Sequence, residues 1–102
     1  MGEFRTVANA AEIDENELAA FQLGGERIAV ANVGGAFHAF NNTCTHRQCS
    51  LAEGELEGTV VTCPCHGSQF DVTTGEVLRG PAQEPVQSYA ARVENQALQV
   101  EI

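Results

Sequence analysis

The chain has 102 residues, 14 of them acidic and five basic, for a formal net charge of −9, and its length suits one compact domain. All five basic residues are Arg, and the acidic excess argues against nucleic-acid and anionic-membrane partners, which need a basic footprint. A hydrophobic content of 43% supplies a small core and excludes wholesale disorder, while no run approaches the roughly 20 apolar residues of a membrane span.

In chain order, the N-terminal stretch MGEFRTVANAAEIDENE lacks the basic n-region and apolar run of a secretion signal, which predicts a soluble, cytoplasmic protein. Asn9–Asn16 has a helical look for a turn or two. Leu18–Leu23, Arg27–Val33 and Ala36–Phe40 are short apolar or alternating runs separated by Gly24-Gly25 and Gly34-Gly35. Paired glycines between such runs are hairpin signals, because Gly takes positive φ without steric cost. Thr59–Thr62 is a short β-branched run. Ser88–Val93 and Ala97–Ile102 are predicted to form a last hairpin around Glu94-Asn95, with Leu98, Val100 and Ile102 on one face. The pattern predicts an all-β fold, a small antiparallel sandwich or partly open barrel, in a single domain spanning residues 1–102.

Four cysteines stand out. In a secreted domain they would suggest two disulfides, and in a cytosolic one metal or redox chemistry. They fall in two segments, Cys44-Thr45-His46-Arg47-Gln48-Cys49 and Cys63-Pro64-Cys65-His66-Gly67-Ser68, each with a histidine. Sixteen residues separate His46 from Cys63, including Gly54 and Gly58, room for a reversal that brings both segments to one site. The layout C-x-H followed by C-x-x-H offers two sulfurs and two imidazoles. Zinc accepts such a set, but structural zinc sites usually group like ligands in knuckles. One ligand of each kind per segment suits a two-iron cluster with both sulfurs on one iron and both imidazoles on the other.

CTHRQC and CPCHGSQFD resemble the two cluster-binding boxes of Rieske-type [2Fe-2S] proteins, and the similarity extends through Thr74-Gly75-Glu76 and Gly80-Pro81-Ala82 to the final hairpin. The resemblance implies a cluster-binding subdomain over about residues 41–82. It also implies that Cys44 and Cys63 ligate the inner iron of one [2Fe-2S] cluster, and His46 and His66 the outer iron. By charge counting, such a cluster is neutral when oxidised and carries one negative charge when reduced. An all-Cys cluster goes from two negative charges to three, so His ligation raises the reduction potential.

The same resemblance sets Cys49 and Cys65 where respiratory Rieske proteins carry a disulfide between the two loops. Ferredoxins of ring-hydroxylating oxygenases typically lack that pair, and two free buried thiols are the alternative in a reducing cytosol. Ser68 matches a serine that donates a hydrogen bond at the cluster in high-potential relatives, and Phe70 stands where they have a hydroxyl-bearing Tyr. Pro81 is placed in a loop shielding the cluster. The absent hydroxyl at Phe70 predicts a potential between ferredoxin-type and respiratory-type values.

The function implied is a one-electron carrier without catalytic residues. It would take electrons from a flavin-dependent NAD(P)H reductase and pass them to the terminal oxygenase of an aromatic-ring dioxygenase system, in transient encounters that a monomer serves. Small Rieske subunits of nitrite reductase or arsenite-oxidase-type enzymes are alternatives, as is a zinc-stabilised binding module. His38 lies outside both boxes and reads as a structural strand residue. Arg47 beside His46 is either a docking contact or a solvated side chain. The acidic stretches Glu12–Glu17 and Glu53–Glu57 read as solvated surface, the second placed to steer a basic partner.

Overall fold

The computed structural model describes residues 2–45 and 49–102. Its strands, in chain order, are β1 (Phe4–Asn9), β2 (Leu18–Leu23), β3 (Glu26–Val33), β4 (Ala36–Asn41), β5 (Glu55–Glu57), β6 (Val60–Thr62), β7 (Gln69–Asp71), β8 (Val77–Arg79), β9 (Ser88–Tyr89), β10 (Ala91–Glu94) and β11 (Ala97–Glu101). Among the described residues they form three antiparallel sheets, ordered β1-β11-β10, β2-β3-β4-β9 and β5-β6-β7-β8.

The middle sheet is covered on both faces, and β3 shows why. Five consecutive residues, Ile28 to Asn32, are buried. Side chains alternate across a strand, so Ile28 and Val30 enter one core with Ile13, Ala39, Leu98 and Val100. Ala29 and Ala31 enter the other, with Phe40, Leu51, Val61, Phe70, Val72, Val86, Cys44 and Cys63. Small Ala side chains on that face let the β5–β8 sheet lie close, and the two sulfurs lie in the core between these sheets. Each large apolar side chain buried there contributes on the order of 1.5–3 kcal/mol.

Both glycine pairs form the expected two-residue turns: Leu23 pairs with Glu26 and Val33 with Ala36, and all four glycines have positive φ. The helical stretch reduces to one 3-10 turn at Ala10–Glu12, closed by a capping box in which the Asn9 side chain accepts from Ala11 N–H and Glu12 returns to Asn9 N–H. Two strand expectations need correction. Ser88–Val93 is not one strand: the chain changes sheets at Ala90, with β9 pairing β4 and β10 pairing β11. The last turn centres on Asn95 and Gln96, both at positive φ (51° and 70°), and not on Glu94-Asn95.

Candidate metal centre

The two cysteine-containing loops leave neighbouring sheets at their packed face. The first departs from β4, and Cys44 N–H donates to the Cys49 carbonyl at 2.9 Å across it. The second joins β6 to β7. Cys63 N–H donates to the Ser68 carbonyl at 2.7 Å, and Gly67 N–H returns to the Cys63 carbonyl at 3.2 Å, with Gly67 at φ 80°. This narrow turn buries Cys63 and Ser68 at its base and leaves Pro64, Cys65 and His66 exposed at its tip.

Cys44 and Cys63 are unoxidised thiols, 1% and 3% exposed. Burial pushes the Cys63 thiol above its ordinary range. The Cys65 N–H opposes this, the hydrogen-bonded Cys44 thiol reinforces it, and the His66 N–H opposes it more weakly. Two free thiols from separate loops, buried in one core, supply the sulfur donors that a soft metal group takes as thiolates. The residues present therefore fit a thiolate-ligated group. His66 lies three residues on, at the surface; His46 and Arg47 lie outside the described residues.

Three links join the loops around this pair of thiols. Cys49 and Cys65 form a disulfide, with Cα atoms 6.5 Å apart, between the first and second loops. Its sulfurs and that of Cys63 lie within 4.8 Å of one another. Ser68, fully buried, accepts the Ala82 N–H at 3.0 Å and so ties the second loop to the segment after β8. Thr45 Oγ1 donates to the Glu84 carbonyl at 2.7 Å and ties that segment to the first loop. Pro81, exposed and joined to Gly80 by a cis peptide bond, begins the linked stretch.

Phe70 is fully buried in the same core as the thiols. His38 is half-buried on β4 and acts electrostatically on Asp71, outside the thiol pair. Glu53, Glu55 and Glu57 are exposed; Glu55 and Glu57 lie on one face of β5 with Leu56 turned inward. Sequence reasoning missed Thr45 and Asn42. The first is a side chain inside a box whose neighbours drew attention, and the second an Asn in a row of two. No helix among the described residues is long and apolar enough to cross a membrane.

Residues 3–90 match the Rieske [2Fe-2S] domain. The chain is 32% identical over 91 residues to the ferredoxin component of the naphthalene 1,2-dioxygenase system of Pseudomonas aeruginosa, covering 89% of this chain and 88% of the relative. It is 33% identical over 93 residues to the cytochrome b6-f complex iron-sulfur subunit of Chlorobaculum thiosulfatiphilum, covering 91% of this chain and 50% of that subunit. Among solved structures, a complex of reduced oxygenase and oxidized ferredoxin in carbazole 1,9a-dioxygenase contains a similar chain. It is 32% identical with a TM-score of 0.90, and the alignment covers 96% of this chain and 92% of that one. The family match includes both loops and every strand from β1 to β9, and the chain belongs to the Rieske [2Fe-2S] domain family, whose cofactor is a [2Fe-2S] cluster.

Proposed function

We propose that this protein is a cytoplasmic Rieske ferredoxin acting as one unit over residues 1–102, with residues 41–82 as its cluster-binding part. It takes electrons singly from a flavin-dependent NAD(P)H reductase and delivers them to the terminal oxygenase of an aromatic-ring dioxygenase. The observation that carries the reading is the pair of buried thiols, Cys44 and Cys63, brought together from two loops whose remaining cysteines are joined to each other. The naming of relatives as ferredoxin components, and the solved oxygenase–ferredoxin complex, support the carrier role and the acceptor.

In this reading Cys44 and Cys63 hold one iron and His46 and His66 the other. When bound, the cluster supplies reversible one-electron exchange. The chain's own groups do the rest. The N–H groups of Cys65 and His66 stabilise the thiolate of Cys63. The disulfide and the Pro81–Glu84 segment keep water from the thiols, and exposed His66 offers a short covalent route to a docked partner. Ser68 supplies a hydroxyl and Phe70 none, which favours the intermediate potential. Full ligation by protein atoms leaves no open position for substrate chemistry. The test is to mix the reduced protein with candidate terminal oxygenases and follow its reoxidation. Transfer to an aromatic-ring dioxygenase component is expected, and a colourless protein with stoichiometric zinc would refute the reading.

A further inference from the structure

The first loop leaves the middle sheet after Asn41 and returns at Ser50, and one side chain joins its two ends. Asn42 is 2% exposed and lies outside both cysteine boxes. Its Nδ2 donates to Ser50 Oγ at 2.8 Å, and its Oδ1 accepts the Ala52 N–H at 2.8 Å. Its main chain is engaged on both sides too. The Asn42 N–H donates to the Arg27 carbonyl on β3, and its carbonyl accepts the Leu51 N–H, both at 2.8 Å. One residue thus fastens the departing end of the loop to the sheet and to three successive residues of the returning end.

A carboxamide suits this task because it presents a donor and an acceptor on one rigid plane. Grasping Ser50 and Ala52 together fixes both the separation and the rotation of the returning segment, which enters a 3-10 turn at Leu51–Glu53. Above this clasp the described residues of the loop are held across it by the Thr43–Ser50 bridge and by the Cys44 N–H on the Cys49 carbonyl. The position of the base is therefore passed directly to the two cysteines. We propose that Asn42 is the positioning residue of the first loop, setting where Cys49 meets Cys65 and where Cys44 meets Cys63. This deepens the ligand reading given above for Cys44, but the contact between Cys49 and Cys65 does not depend on that reading.

The decisive measurement is the dithiol–disulfide equilibrium of Cys49 and Cys65 in the full-length, cluster-bearing protein. It is read by alkylation and mass after equilibration in dithiothreitol redox buffers; exposed Cys65 gives the reagent access. Asn42→Ala should make the disulfide about tenfold easier to reduce, the scale of losing its hydrogen-bonded placement. Asn42→Asp should stay within about twofold of wild type, because its carboxylate accepts from both Ala52 N–H and the Ser50 hydroxyl. Ser50→Ala, which removes one of the two side-chain bonds, should lie between at about threefold.

The proposal is overturned if Asn42→Ala lowers thermal stability while the equilibrium stays at its wild-type value, or if Asn42→Asp shifts it as far as Ala does. Should Asn42→Ala fail to fold, an unshifted Ser50→Ala overturns it equally. The electron paramagnetic resonance g-values of the reduced variants separate the two readings. A shifted disulfide equilibrium with unchanged g-values keeps the clasp and counts against Cys44 as a ligand.

Discussion

The hydroxyl of Ser68 is engaged on its acceptor side by the Ala82 N–H, so its one proton is free to be donated elsewhere in the core it shares with the thiols. A donor there stabilises added negative charge. Removing it in Ser68→Ala should lower the reduction potential by about 60 mV, taking a charge-assisted hydrogen bond as about 1.4 kcal/mol. Phe70→Tyr should raise the potential by a similar amount, since Phe70 is buried in the same core as Cys44 and Cys63. A redox titration in which neither variant moves removes the hydrogen-bond account. Asp71 offers a second test. Hydrogen bonds from Thr73 Oγ1 (2.6 Å) and Thr73 N–H (2.8 Å) hold its carboxyl below the usual value of 3.8, with the charge of His38 a smaller cause. A depressed folded pKa gives stability that is present above the unfolded value and lost as pH falls through the folded one. The gap in melting temperature between wild type and Thr73→Val should therefore be full above about pH 4 and close below it. A gap independent of pH would contradict this. At this scale the Cys49–Cys65 pair and Ser68 were legible through the resemblance of the two boxes, and the four proposed ligands were legible as a candidate set from type and spacing. Thr45 and Asn42 were not, because each acts through partners that only the folded chain brings near, such as the carbonyl of Glu84 and the N–H of Ala52.

At the scale of elements, the long hairpin strands were legible because glycine pairs punctuate apolar runs. β1 was not: its register shifts between Thr6 and Ala8 against β11, which breaks the alternation that would have revealed it. β5, β7 and β8 have three residues each, too few for a period to show. The split of Ser88–Val93 escaped notice because alternation continues through the place where the chain changes sheets. These short strands hold the second loop, and their weakness makes the loop-to-loop disulfide matter. Cys49 and Cys65 are 16 residues apart, and closing a loop of that size stabilises by about 3 kcal/mol in the chain-entropy description. The double variant Cys49→Ser/Cys65→Ser should lose about that much in denaturant unfolding, with an m-value no lower than wild type because the unclipped unfolded chain is less constrained, and an unchanged stability would show that the clip adds nothing.

The whole molecule carries a net charge of −9, and much of it reaches solvent around the body of the fold, with Glu53, Glu55 and Glu57 following the first loop. Such a field speeds encounter with a basic docking face and is screened by salt. Electron transfer to the proposed oxygenase should slow as ionic strength rises, and Glu55→Gln/Glu57→Gln should slow it further at low salt while leaving the potential unchanged. A rate indifferent to salt would contradict charge steering. The central claim is that two sulfurs and two imidazoles of one small chain hold a redox cluster. Pulsed electron paramagnetic resonance on the reduced protein tests it most directly. The account predicts couplings from two histidine nitrogens, one of them lost in His46→Cys and the other in His66→Cys. A signal without nitrogen coupling, or a silent protein containing zinc, would contradict it.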